Sequence, residues 1–84
     1  MAAKILFGGL PEASNEEAVE LFRRAIALEP EIIIHHLELG ITYLEMKKKE
    51  LARAEFETVM RLPVRREADR ASRAEAERLL RGIR

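Results

Sequence analysis

Cysteine and tryptophan are absent from this 84-residue sequence, glycine (4) and proline (3) are scarce, and aromatic residues make up only 5%. Without cysteine there is neither a disulfide framework nor a thiolate metal site, a pattern that suits a reducing, cytoplasmic setting. A net charge is also missing, because 15 basic residues balance 15 acidic ones. No global field then draws the chain to phosphate backbones or anionic lipid, so neither nucleic acid nor a membrane is an expected partner. No apolar run approaches the ~20 residues that span a bilayer, and residues 1–10, MAAKILFGGL, lack the long apolar region of a secretory signal. Catalytic signatures are missing too. There is no GxSxG and no P-loop, and LFGGLP carries two glycines without the pattern of a phosphate-binding helix start. Neither an enzyme nor a cofactor is expected.

What is present is a helix-forming mixture, 48% hydrophobic and 36% charged, with Glu, Arg, Ala and Leu prominent. A chain of this length forms one domain and buries a little over ~60% of its unfolded surface. The most apolar stretch is 31–47, EIIIHHLELGITYLEMK. At 100° per residue Glu31, His35, Glu38, Thr42 and Glu45 share one thin polar edge, and nearly everything else is apolar. Such a helix is expected to lie between neighbours on both sides.

Before it, Ser14 is followed three positions later by Glu17, the capping-box pattern that opens a helix. That helix, 14–28, turns Ala18, Val19, Leu21, Phe22, Ala25, Ile26 and Leu28 inward, and Pro30 ends it. Residues 2–7 form at most a turn or two of helix ahead of Gly8-Gly9. After the 31–47 helix, Lys47, Lys48 and Lys49 read as a solvated turn that complements the negative end of the helix dipole. A third helix, 50–62, carries Leu51, Ala52, Phe56, Val59 and Met60 inward and is closed by Pro63. The last, 65–84, presents an alanine-rich face of Ala68, Ala71, Ala76, Leu79 and Ile83.

An internal period links these helices. Ala18, Phe22, Ala25 and Pro30 follow A-x3-F-x2-A-x4-P, and Ala52 and Phe56 repeat the first half 34 positions on. Between them Leu39-Gly40 and Tyr43 match L-G-x2-Y, so the chain resembles a tetratricopeptide repeat protein. The resemblance implies an all-α fold of antiparallel helical hairpins in a single domain. Residues 14–30 form the second helix of a partial repeat, 31–63 a complete repeat, and 65–83 a C-terminal capping helix. Gly40 and Ala52 are small where two helices cross, while Tyr43 and Phe56 fill the space beside them. Departures are His36 where the pattern has tryptophan, Val59 for alanine, and Pro63 one position early.

A second resemblance covers nearly the whole chain. LFGGLPEASNEEAVELFRRAIALEP, then LELGITYLEMKKKELA, then READRASRAEAERLL, is similar to the C-terminal part of the regulator of microtubule dynamics family of tetratricopeptide proteins. It implies a helical scaffold that associates with other proteins. The longer N-terminal region of that family is missing from this sequence, so a microtubule role is not carried over.

Metal chemistry is not expected. His35 and His36 point about 100° apart and do not chelate one ion together, and His35 with Glu38 would need inward carboxylates from other helices. His36 falls on the core side, as a buried imidazole with one hydrogen bond. The expected function is a non-catalytic protein-interaction module that binds a helix or peptide through an apolar concave face of Ile34, Leu37, Ile41 and Leu44, with Glu45 beside it. Two alternatives stay open. That face is covered by the chain's own helices, or the domain is the structural cap of a longer solenoid with no ligand of its own. Because residues 2–7 are too few to cover the 14–28 helix, leftover apolar surface also points to a homodimer through the N-terminal half.

Overall fold

A computed structural model describes residues 14–83, and among these the chain is all-α, with four helices and no strand. They are α1 (Asn15–Leu28), α2 (Ile33–Glu45), α3 (Lys49–Arg61) and α4 (Glu67–Ile83). The expected turn of helix over residues 2–7 lies outside the described residues. Helix α2 packs against α1, α3 and α4, and α3 also packs against α4.

Local chemistry sets most of the boundaries. The Glu17 N–H donates to Ser14 Oγ (3.1 Å) and the Ser14 N–H to Glu17 Oε1 (3.0 Å), so the predicted capping box is formed. α2 ends in a Schellman turn, in which the Lys48 N–H reaches Tyr43 O and the Lys47 N–H reaches Leu44 O, both at 2.9 Å. The turn places Lys47 at φ 63°, where a Cβ is unfavourable and glycine is the usual residue. Lys47→Gly is therefore expected to stabilise the fold by about 0.5–1 kcal/mol, less than the full relief of strain because glycine gains entropy on unfolding. A urea titration in which the midpoint rises at unchanged slope checks it, and a lower midpoint would mean that the turn does not form in solution.

The core is built by Ile33, Leu37, Leu39 and Tyr43 of α2, Ala52, Phe56 and Val59 of α3, and Ala76 and Leu80 of α4. Several expectations about facing are corrected. Thr42, placed on the polar edge of α2, is fully buried; its hydroxyl donates to Glu38 O (2.9 Å), which leaves the methyl free to pack. Leu21, Leu28 and Leu51, expected inward, are exposed, Leu28 most of all at 83%.

The largest correction concerns α4. Ala68 and Ala71 face solvent, and the buried side carries Asp69, Ser72, Ala76 and Leu80, with Leu79 and Ile83 half-buried against the core. Asp69 explains the rotation and the start at Glu67 rather than 65. Its Oδ2 accepts the Arg65 N–H (3.0 Å) and the Arg66 N–H (3.1 Å), which fixes the helix entry with the carboxylate turned inward. Those backbone hydrogen bonds, the Arg65 one foremost, hold the Asp69 carboxyl below its ordinary range. Arg73 reinforces the same register by donating to Met60 O (3.0 Å) at the end of α3.

Candidate protein-interaction surface

Among the described residues α2 packs against three helices, and part of one edge stays exposed. Ile34 is exposed, at 36%. Ile41 and Leu44 are half-buried and lean on the core, and Glu45 is half-buried beside them. Leu37, expected on the same face, is 5% exposed and belongs to the core, because neighbours on three sides leave the helix only a narrow open edge.

The predicted polar edge is not a solvated strip either. His35 and Glu38 are half-buried, and neither His35 Nδ1 nor Glu38 Oε1 has a hydrogen-bond partner among the described residues. Burial raises the Glu38 carboxyl above the usual carboxylate range. A narrow apolar edge therefore runs beside polar atoms that have no hydrogen-bond partner among the described residues.

Of the repeat-signature residues, Ala18, Leu39, Gly40, Tyr43, Ala52 and Phe56 are buried, Phe22 and Ala25 are half-buried, and Pro30 is exposed. Gly40 and Phe56 meet directly, since a Cβ added at Gly40 would lie 2.5 Å from Phe56 Cε1.

Sequence reading gave His36 one hydrogen bond; it makes two. Nδ1 lies 2.8 Å from Glu55 Oε1 and Nε2 2.8 Å from Pro30 O, with the ring 7% exposed. A carbonyl and a carboxylate both accept, so this geometry is fully satisfied only when both ring nitrogens carry protons. Chiefly through the Glu55 hydrogen bond, and against the opposing effect of burial, the imidazole is held above its ordinary value of 6.5. With both nitrogens committed, His36 ties the segment before α2 to α3. Among the described residues no group of three His, Asp or Glu side chains is placed to hold a metal.

The His36 shift has a definite sign. Its stabilisation is fully present below the unfolded value near 6.5 and is lost as pH rises through the higher folded value. Melting temperature is therefore expected to fall between neutral and mildly alkaline pH, with a shallower fall in Glu55→Gln. Identical slopes for parent and variant would remove the ion pair from the account. Glu55 itself escaped sequence reading because it is 19 positions from His36 and carries no local signal.

The family model described as Regulator of microtubule dynamics protein 1-3 matches residues 1–84. The chain belongs to this family. Regulator of microtubule dynamics protein 1 of Bos taurus is 37% identical over 82 residues, and the Rattus norvegicus protein of the same name is 34% identical over 82. Each alignment covers 96% of this chain and 26% of the relative, so the chain spans about a quarter of the length of the curated relatives it matches. No solved structure matches. Within this regulator family the described part of the chain is a helical domain, and none of its helices is long and apolar enough to cross a membrane.

Proposed function

We propose that this chain is a non-catalytic protein-protein interaction module, in which residues 31–63 form a tetratricopeptide-type hairpin and the open edge of α2 receives a helix or peptide of another protein. The observation that carries this reading is the incomplete cover of α2. Three helices pack on it, yet Ile34 is exposed, Ile41 and Leu44 are half-covered, and Glu38 Oε1 beside them lacks a partner among the described residues. Leu37 supports the edge from beneath, and Glu45 flanks it. The hairpin assignment is supported by the contact of Gly40 with Phe56 and by the burial of Ala52 and Tyr43.

The name of the relatives concerns regulation of microtubule dynamics; for this chain the proposal is confined to protein binding, in the reducing compartment that a cysteine-free sequence suits. A photo-crosslinking residue at position 34, in the intact chain inside cells, is expected to give a discrete covalent adduct with a partner. The same probe at position 57, on the exposed side of α3, is expected to give none. Equal labelling from both positions would reject the α2 edge as the site.

A second reading, a homodimer through the N-terminal half, is favoured by Leu21 and Leu28, which share one side of α1 and are 49% and 83% exposed. Light scattering over a dilution series is expected to give twice the 9.6 kDa chain mass at high concentration. A mass that stays at 9.6 kDa into the high micromolar range would exclude it.

A further inference from the structure

Arginines on most of this surface are matched to carboxylates about one helical turn away. Arg24 pairs with Glu20, Arg53 with Glu50, Arg78 with Glu75 and Arg81 with Glu77. The corner between α3 and α4 breaks the pattern. Five arginines fall within residues 61–73, and the acidic residues among them are Glu67 and Asp69. Asp69 is buried and accepts the backbone N–H groups of Arg65 and Arg66, and its charge offsets only part of the positive charge of the neighbouring guanidiniums of Arg65 and Arg66. Arg65 is held by Glu31 (2.6 Å), Arg61 by Thr58 Oγ1 (3.1 Å), and Arg73 by Met60 O. The side chains of Arg66 and Arg70 are exposed and have no hydrogen bond or ion pair among the described residues.

Arg70 lines two adjoining hollows, and Arg66 lines one of them. One, of about 580 Å³, is lined by Met60, Val64, Arg70, Arg73, Ala74 and Glu77. The other, of about 400 Å³, shares Val64 and Arg70 with it and adds Arg65, Arg66 and Glu67. Glu77 is already paired with Arg81, which leaves Glu67 as the uncommitted acid at the rim. The corner therefore combines an apolar floor, Met60 and Val64, with a positive rim, and the positive end of the α4 dipole adds to the same field.

We propose that this corner is a second docking surface, separate in its residues from the α2 edge, and that it takes a short acidic peptide segment whose carboxylates pair with Arg66 and Arg70 while one apolar side chain rests on Met60 and Val64. Charge complementarity selects the occupant. Guanidinium forks suit carboxylates, and the Met60 and Val64 side chains that line the hollows gain from contact with a hydrophobic residue. Nucleic acid is the poorer fit, because two free guanidiniums on a chain of zero net charge give neither a long-range field nor a track along a phosphate backbone.

The probe is a short fluorescein-labelled peptide of Asp and Glu with one central Phe, titrated with the 84-residue chain and followed by anisotropy. Saturable binding is expected, weaker at about 300 mM salt than at about 50 mM. Arg66→Glu with Arg70→Glu is expected to weaken it about tenfold or more, while Ile34→Asp leaves it unchanged. Both arginine side chains are exposed and make no hydrogen bond or ion pair among the described residues, so the double variant is expected to melt with the parent; if it does not, Arg66→Gln with Arg70→Gln carries the same comparison. Equal affinity for a Lys-substituted peptide, no loss in either arginine variant, or loss in Ile34→Asp alone would overturn the proposal. Tighter binding of a single-stranded oligonucleotide of equal charge would overturn it in favour of nucleic acid.

Discussion

Phe56→Ala is expected to lower stability by about 3–5 kcal/mol, the range for emptying a fully buried aromatic site. Phe56 has no exposed surface, belongs to the central cluster with Leu39, Tyr43 and Ala52, and lies against the backbone of α2 at Gly40. Neither Gly40, which has no side chain, nor Ala52, which is already small, can fill the space. A domain of 84 residues has roughly 4–13 kcal/mol in total. The variant is therefore expected to melt far below the parent or to be unfolded at 37 °C, as followed by circular dichroism. A cooperative transition within a few degrees of the parent would mean that the α2–α3 packing is wrong.

Gly40→Ala tests the same contact from the other side, and two effects oppose each other there. Alanine in a helix interior is favoured over glycine by about 1 kcal/mol. The added Cβ would lie 2.5, 2.8 and 2.9 Å from Phe56 Cε1, Cδ1 and Cζ, and the obstacle is a buried ring, not the free end of a flexible chain. Overpacking of this kind costs about 1–3 kcal/mol, so a net loss of up to about 2 kcal/mol is expected. The cause is separable by a double-mutant cycle. With Phe56→Leu in place the clash is relieved, and Gly40→Ala is expected to cost much less than in the parent. Stabilisation by Gly40→Ala in the parent would show that the helices sit further apart than described.

Much of this fold is legible along the chain because its determinants are local. Ser14 and Glu17 mark the start of α1 three residues apart, and Pro30 and Pro63 mark where helices cannot continue. The recurrence of Ala18 and Phe22 as Ala52 and Phe56 identifies small and aromatic positions that are buried or half-buried. The family resemblance read from LFGGLP, the repeat and EAERLL is likewise a property of the string, and the whole-chain family match agrees with it.

The candidate surface was less legible. Periodicity placed Ile34, Leu37, Ile41 and Leu44 together on α2, but it carries no information about which of them a neighbour covers. Leu37 is buried and Ile34 is open because α1, α3 and α4 close on three sides of one helix. In α4 the alanines mislead for a related reason. Ala68 and Ala71 contribute little burial energy wherever they point, so the capping bonds of Asp69 and the reach of Arg73 to Met60 O decide the rotation.

The sequence by itself determined that this chain is helical, where its helices begin and end to within a few residues, and which family it resembles, since caps, prolines and a 34-residue period all act over short spans or repeat visibly. Only the tertiary structure decided that Thr42 is buried, that His36 is clamped between Pro30 and Glu55, and that the Arg66 and Arg70 side chains make no ion pair among the described residues. Each of these depends on the partner that folding brings beside a residue, and the free energy of burying or pairing a polar group is set by that partner and not by the neighbours in the chain.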